Sequence, residues 1–186
     1  MGRLLDLFCP DQCAPSVAEI DLAALKAGGF DTVMLDLDNT LLPWQSTDIP
    51  DSSRRWIEEA KQLGMKLCIV SNTHHPKRLD KIAADLRVCS MHRALKPRRG
   101  AFARAARMID AEPKRTAVVG DQVLTDILGG NLAGMHTILV KPMHRREFIG
   151  TKISRLIEWG ILALLRRKGR LGTNSEPSQS EKRDTR

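Results

Sequence analysis

The chain has 186 residues, which suits one domain around a single hydrophobic core with a short extension. Residues 1–140 hold 18 Lys and Arg against 17 Asp and Glu, whereas residues 141–186 hold 12 against 5, so the net charge of +8 lies almost wholly at the end. Neither a bilayer-spanning apolar run nor the long apolar core of a secretory signal is present, and we therefore expect a cytoplasmic protein. Cys9 and Cys13 lack a second Cys/His pair at zinc spacing, so we expect reduced thiols.

The predicted elements alternate between strands and helices. In chain order they are a short helix capped by Asp21, a strand at about 32–37, a helix from Asp51 or Ser52 to Gly64, a strand at 66–70, a helix near 76–84, a helix opened by Lys96-Pro97, a strand at 116–119, a helix at about 122–132 and a strand at 136–140. Such alternation predicts an α/β fold of three layers, Rossmann-like, with a central mostly parallel sheet and helices on both faces.

Polar side chains follow three of these strands. Asp36 and Asp38 end the first strand, Ser71 ends the second and Asp121 ends the third, while Lys96 stands just before a helix. Because the carboxyl ends of parallel strands meet at one edge of the sheet, we expect these side chains to share one pocket. Carboxylates, a hydroxyl group and a fixed cation suit a divalent metal and phosphoryl transfer. Each residue also has an ordinary structural alternative, since Asp-Asn-Thr is common in turns, Ser71 could cap a helix and Lys96 could be a surface lysine.

Four segments, in this order and spacing, resemble the motifs of the haloacid dehalogenase (HAD) superfamily. They are Asp36-Leu37-Asp38-Asn39-Thr40, Ser71-Asn72-Thr73, Lys96-Pro97 and Gly120-Asp121-Gln122 followed by Thr125-Asp126. The sequences around the first and last motifs further resemble the subclass IIIA phosphatases of the YqeG type, a group that includes phosphatidylglycerophosphate phosphatases. The resemblance covers roughly residues 5–165 and implies a HAD-type phosphatase.

The resemblance also implies a role for each motif residue. Asp36 would be the nucleophile that forms an aspartyl-phosphate, and Asp38 the general acid and base. Lys96 would neutralise the charge of the intermediate. Substrate contacts would come from Thr40, Ser71 and Asn72, with Thr40 also positioning Asp38. Mg²⁺ would be held by Asp36, Asp121 and the backbone carbonyl of Asp38, with Asp126 orienting Lys96 or a metal-bound water, although Asp126 could instead serve only the helix dipole.

The gaps between motifs are too short for a lid. Residues 37–70 hold one crossover helix and residues 72–95 are shorter still, so we predict a phosphatase domain over residues 1–150 without a cap domain and with an open site. In this superfamily a missing cap implies a large substrate, or a lid supplied by another subunit. Oligomerisation is therefore left open. His74 and His75, after the second motif, fit either a solvated loop or the pocket mouth.

Residues 151–171 predict a basic amphipathic helix, and residues 172–186 predict a disordered tail. The helix is slightly short for a bilayer and carries charges within it, so we expect it to lie on an anionic membrane surface at the cytoplasmic face. Packing against the sheet is the alternative. The basic run lacks aromatic residues that stack on bases, so we expect no nucleic-acid partner.

Three functions follow in order of preference. The first is a Mg²⁺-dependent phosphomonoesterase that dephosphorylates phosphatidylglycerophosphate. The second keeps this chemistry but acts on a soluble phosphate ester, such as a sugar phosphate or nucleotide, or on a phosphoprotein. The third is a receiver domain that holds an aspartyl-phosphate without turnover, although its phosphoacceptor should end the middle strand, where this chain has Ser71.

Overall fold

The computed structural model describes residues 5–143. The predicted domain boundary at 150, the predicted helix at 151–171 and the predicted tail at 172–186 lie outside the described residues. Between residues 5 and 143, none of the helices has the length and apolar character needed to cross a bilayer.

A six-stranded parallel sheet organises the described part of the chain, with the strand order β1-β6-β5-β2-β3-β4. The elements are β1 (Gln12–Ala14), α1 (Leu22–Ala27), β2 (Thr32–Leu35), α2 (Asp51–Gln62), β3 (Lys66–Val70), α3 (Pro76–Leu86), β4 (Cys89–Met91), α4 (Arg99–Met108), β5 (Thr116–Gly120), α5 (Leu128–Ala133) and β6 (His136–Val140), with 3-10 turns at Val17–Glu19 and Pro113–Arg115 and a π-helical turn at Val123–Ile127. The predicted Rossmann-like α/β fold is confirmed.

The two faces of the sheet carry separate apolar clusters. In β2, Val33 and Leu35 join a cluster that contains Ile57 of α2, whereas Met34 joins a second cluster that contains Phe102 of α4. Successive side chains of a strand point to opposite faces, so a continuous apolar run buries both. This pattern explains why the sequence predicted a central strand here.

The helix starts follow different local chemistry. Asp21 caps α1 as predicted, because its Oδ1 accepts a hydrogen bond of 2.8 Å from the N–H of Ala24. The predicted cap at Asp51 or Ser52 was wrong, since Pro50 occupies that position without a side-chain cap and both residues lie inside α2. The backbone of Pro50, with φ −56° and ψ 142°, leads the chain into the helix. Asp51 then falls in the first turn, where an acidic side chain is favourable.

Three local predictions differ from the structure. Strands β1 and β4 were not predicted, because three residues at a sheet edge are too short to show an alternating pattern. The helix expected from Lys96-Pro97 begins at Arg99. The helix expected over 122–132 is a π-helical turn at Val123–Ile127 followed by the six-residue α5.

Short loops connect the strands to their helices at the carboxyl edge of the sheet. Residues 36–50 join β2 to α2, residues 71–75 join β3 to α3, and residues 92–98 join β4 to α4. None of these loops contains a folded insertion, so the predicted absence of a cap domain is confirmed for the described range 5–143. The described cysteines, Cys9, Cys13, Cys68 and Cys89, are free thiols.

Candidate active site

A buried lysine links two carboxylates at the carboxyl edge. Asp36 directly follows β2, and Lys96 lies in the loop before α4. The Nζ atom of Lys96 donates to Oδ1 of Asp36 at 2.5 Å and to Oδ1 of Asp126 at 2.6 Å. All three side chains are at least 90% buried, and Lys96 and Asp126 are almost completely enclosed. Residues separated by up to 90 positions in the sequence therefore form one charged cluster, as the shared sheet edge predicted.

Gly120 allows Asp126 to reach this cluster. A Cβ atom at Gly120 would lie 2.3 Å from Cγ of Asp126, a distance that real side chains do not tolerate. The Oδ2 atom of Asp126 also accepts a hydrogen bond of 3.2 Å from the N–H of Gln122. The π-helical turn thus aims Asp126 back across the end of β5, where it orients Lys96. Asp126 therefore does more than interact with the helix dipole, because its carboxylate also accepts a hydrogen bond from Lys96.

The electrostatics of the cluster follow from its burial. Burial raises the pKa of Asp36 to about 7, although the adjacent Lys96 opposes the shift. Burial would lower the pKa of Lys96, but the carboxylates of Asp126 and Asp36 outweigh it and leave that pKa above its ordinary value. Lys96 therefore remains a cation. A further positive charge beside Asp36 would favour its ionised form.

Three carboxylates provide the donor set for a cation. Oxygen atoms of Asp36, Asp121 and Asp126 all lie within 4.8 Å of one another. Hard oxygen donors are the ligands that Mg²⁺ prefers, so the chemistry of this donor set fits that ion. The hydroxyl group of Thr40, which the sequence assigned to Asp38 and the substrate, lies 3.5 Å from Oδ1 of Asp121 and is buried. This contact is with the metal-ligand candidate Asp121, and the expected roles of Thr40 beside Asp38 and the substrate stay predictions.

Arg78 is a residue of this site that the sequence did not single out. Its guanidinium donates to both carboxylate oxygens of Asp38, at 3.1 Å and 2.9 Å, and its Nε donates to the carbonyl of Ser46 at 2.8 Å. The N–H of Gln45 also donates to Asp38, at 2.9 Å. Arg78 is the third residue of α3, and a helix that starts directly after the Ser71 loop would have been the signal. Asp38 is thus held at the cavity wall.

The second motif contributes one buried hydroxyl at the cavity wall and one structural link. Ser71 is buried and its Oγ accepts a hydrogen bond of 3.1 Å from the N–H of Thr73. Asn72 instead bonds the backbone of Lys96 twice, donating to its carbonyl at 3.1 Å and accepting from its N–H at 2.9 Å. Asn72 therefore links the loop that contains Lys96 to the loop after β3.

A cavity of about 360 Å³ opens from this cluster to the surface. Its walls are formed by the first two motifs and the residues opposite them, namely Asp36, Asp38, Asn39, Trp44, Gln45, Ser71, Asn72, Thr73, His74, His75, Arg78 and Gln122. A wider depression of about 720 Å³ continues outwards past His74, His75 and Lys77. Both histidines are exposed and lie at the mouth of the cavity. The sequence allowed either a solvated loop or the pocket mouth for them, and both descriptions apply.

Two families of hydrolases match consecutive parts of the chain. The family described as haloacid dehalogenase-like hydrolase matches residues 33–95, and the family described as HAD-hydrolase-like matches residues 94–143. The first range contains Asp36 and Ser71, and the second contains Lys96 and Asp121. The four candidate motifs thus fall inside the matched ranges.

Curated relatives align over most of the chain. "Probable phosphatase YqeG" of Bacillus subtilis is 36% identical over 90% of this chain and 97% of its own length. "Phosphatidylglycerophosphate phosphatase 1" of Arabidopsis thaliana is 31% identical over 82% of this chain, and that of Chlamydomonas reinhardtii is 30% identical over 84%. The chain spans 46% and 62% of these two longer proteins.

Solved structures share the fold at low sequence identity. An uncharacterized protein from Listeria monocytogenes superposes with a TM-score of 0.53 at 18% identity, covering 74% of this chain and 99% of that one. The cobalt-bound deoxy-D-mannose-octulosonate 8-phosphate phosphatase (YrbI) of Haemophilus influenzae gives 0.50 at 16% identity, covering 80% and 96%. At these identities the likeness concerns the fold alone.

Proposed function

This chain belongs to the haloacid dehalogenase superfamily and is one of its YqeG-type phosphatases, and on that premise we propose a Mg²⁺-dependent phosphomonoesterase that works through an aspartyl-phosphate on Asp36. The observation that carries the proposal is the position of Lys96 between Asp36 and Asp126, at 2.5 Å and 2.6 Å, beside Asp121. Such a cluster supplies a nucleophile next to fixed positive charge, as phosphoryl transfer requires.

The first half-reaction cleaves the ester. A carboxylate oxygen of Asp36 attacks phosphorus, the bond from phosphorus to the ester oxygen breaks, and Asp38 gives a proton to the leaving alkoxide. Ser71 and nearby backbone N–H groups bind the oxygens of the transferring group, while Lys96 neutralises part of their charge. Arg78 keeps the Asp38 side chain at the cavity wall by its paired hydrogen bonds.

The second half-reaction restores the enzyme. Asp38, now ionised, takes a proton from a water molecule, and the resulting nucleophile attacks phosphorus on the side opposite Asp36. The acyl-phosphate bond breaks, which releases inorganic phosphate and returns the Asp36 carboxylate. Asp126 holds Lys96 in place during both steps through its 2.6 Å contact.

Mg²⁺ is the cofactor that this donor set fits. Asp36 and Asp121 would hold it together with the backbone carbonyl of Asp38, and the Thr40 hydroxyl beside Asp121 would orient that ligand. When bound, the ion supplies positive charge that offsets the phosphoryl oxygens and favours ionised Asp36.

We propose a phospholipid phosphate, most specifically phosphatidylglycerophosphate, as the substrate. Two relatives carry that activity in their names. The cavity of about 360 Å³ widens into a depression of about 720 Å³, which leaves room for a headgroup attached to a large body. An uncapped site encloses a small metabolite poorly.

Membrane contact would bring this substrate to the site. We propose that the basic segment at 151–171 binds the anionic cytoplasmic face of the membrane, and that the protein acts there as a peripheral enzyme. Deleting residues 151–186 should then reduce vesicle binding and lipid hydrolysis together. Unchanged lipid hydrolysis after the deletion would contradict this part of the proposal.

The test is a phosphate-release assay with and without Mg²⁺. Purified protein should release phosphate from phosphatidylglycerophosphate in mixed micelles faster than from a sugar phosphate, a nucleotide or p-nitrophenyl phosphate. Asp36→Asn should abolish release from every substrate, because an amide cannot serve as the nucleophile. Asp80→Asn, at an exposed position of α3, is the matched control and should leave the rates unchanged.

The pattern of rates separates the alternatives. Faster hydrolysis of a soluble ester or a phosphoprotein than of the lipid would move the function to the second candidate with the same chemistry. A stable aspartyl-phosphate without phosphate release would favour a receiver-like role. Equal rates for Asp36→Asn and the unaltered protein would end the phosphatase mechanism proposed here.

A further inference from the structure

The loops around the cavity carry exposed cations. Lys77 in the first turn of α3, Arg93 and Arg98 in the loop between β4 and α4, and Lys141 just after β6 all lie at the carboxyl edge and are exposed. Within residues 5–143, none of these four takes part in a salt bridge. We call Lys77, Arg93, Arg98 and Lys141 the basic edge.

The opposite edge of the sheet carries both paired and unpaired cations. There Arg115 pairs with Asp31 at 2.6 Å, and Lys66 lies 3.9 Å from Asp110. Exposed carboxylates also lie towards the basic edge, at Asp48 in the loop before α2, at Asp51 in the first turn of α2 and at Asp80 in α3. At the opposite edge Arg107 and Lys114 are also exposed and take part in no salt bridge among residues 5–143, so what distinguishes the basic edge is its position at the end of the molecule that contains the cavity, where its cations would attract a polyanionic surface.

An apolar side chain projects among these cations. Leu95 lies between Arg93 and Arg98 in the sequence and is 52% exposed, and it directly precedes Lys96. Its backbone φ is +63°, and that of Arg93 is +47°, both in the left-handed region that non-glycine residues rarely adopt. The loop between β4 and α4 therefore exposes one apolar group and two cations within six residues.

We infer that the basic edge, with Leu95 at its tip, docks on the headgroup layer of an anionic lipid bilayer. The inference rests on the proposed lipid substrate and adds the face of the protein that meets the membrane. Unpaired cations match the charge of anionic headgroups, and Leu95 can enter the boundary between headgroups and acyl chains. Because Lys77 of the basic edge lines the depression outside the cavity, this orientation would bring the depression towards the lipid.

The experiment measures sedimentation of the full chain with vesicles. Vesicles of phosphatidylglycerol are compared with vesicles of phosphatidylcholine, for the unaltered protein and for Arg93→Glu/Arg98→Glu. Each basic residue near an anionic surface contributes about a fivefold factor in partitioning, so loss of two predicts a fall of roughly 30-fold or more at low salt. Leu95→Ser should reduce binding several-fold further.

Matched controls lie at the other end of the molecule. Arg107→Glu/Lys114→Glu makes the same change in net charge at exposed positions, and Met108→Ser removes an exposed apolar side chain, 55% accessible, at the end of α4. Binding of these controls should stay near that of the unaltered protein. Hydrolysis of soluble p-nitrophenyl phosphate should be unchanged in every variant, which shows that the fold and the site are intact.

Several results would overturn the inference. They are unaltered vesicle binding by the Arg93/Arg98 variant, equal losses in the control at residues 107 and 114, and tighter binding to duplex nucleic acid than to vesicles. If a variant does not fold, the milder Arg93→Gln/Arg98→Gln replaces it, because the salt dependence of the unaltered protein would also report binding by the basic segment at 151–171. Failure of lipid hydrolysis with intact vesicle binding would refute the substrate, and not the docking face.

Discussion

Replacing Lys96 with Met tests the central cluster most directly. The substitution keeps most of the side-chain volume but removes the ammonium group that lies 2.5 Å from Asp36 and 2.6 Å from Asp126. The two carboxylates would then be buried together without their common partner. Their repulsion and lost solvation should destabilise the folded state, in addition to any loss of activity.

The size of the effect follows from the burial of the pair. Removing one partner of a buried ion pair costs about 3–5 kcal/mol, because the other charge is left uncompensated. For a protein of this size, each kcal/mol lowers the melting temperature by about 2–4 °C, so the expected fall is roughly 6–20 °C. An exposed pair contributes only about 0–1 kcal/mol.

The assay is urea unfolding of the metal-free protein, carried out as a double-mutant cycle. Asp126→Asn in the Lys96→Met background removes one of the two buried carboxyl groups left without a cation and should recover about 0.5–3 kcal/mol of the loss. Lys66→Met is the matched control, since Lys66 is exposed and lies 3.9 Å from an exposed carboxylate.

The cycle can refute the reasoning in two ways. A Lys96→Met protein as stable as the unaltered one would show that the lysine does not compensate buried charge. Strict additivity of the Lys96 and Asp126 substitutions would show that the two side chains do not interact, contrary to their 2.6 Å contact.

Two further predictions concern the same fold. Asp36 has a pKa of about 7 in the folded, metal-free protein against an ordinary 3.8, so the folded state keeps a proton that the unfolded chain loses. This stabilisation is complete below about pH 4 and is lost as the pH rises through 7. A pH-independent difference in unfolding free energy between the unaltered protein and Asp36→Asn would contradict this prediction. Gly130→Ala should cost about 1–3 kcal/mol in thermal or urea unfolding, because its Cβ would lie 2.6 Å from a side-chain carbon of β6. Gly100→Ala should be neutral or slightly stabilising, since its nearest neighbour is a flexible side-chain atom 3.7 Å away, and equal losses at both glycines would argue against the packing explanation.

The main architecture could be predicted because its signals are local and repeated. The strands around Val33 and Val118 are continuous apolar runs, and the helices between them have one apolar face. Right-handed crossovers then leave few arrangements other than a parallel sheet. Once the sheet is parallel, the acids that follow β2 and β5 must lie at one edge, which is why Asp36 and Asp121 could be placed together before the structure was known.

The contacts within the site depended on tertiary structure. No local pattern indicates that Arg78 pairs with Asp38, that Asn72 ties down the backbone of Lys96, or that the turn at Val123–Ile127 becomes π-helical. The two contacts require segments distant in the sequence to pack against each other, and such packing sets the geometry of a loop more than the propensity of its own residues does.

The amino-acid sequence by itself determined the order of the elements, the edge where the chemistry lies and the types of side chain available there. Only the tertiary structure decided which of those side chains touch, because distances of 2.5–3.1 Å between residues 24 to 60 positions apart arise from the packing of whole elements. Periodicity is a property of neighbours along the chain, whereas a catalytic cluster is a property of neighbours in space.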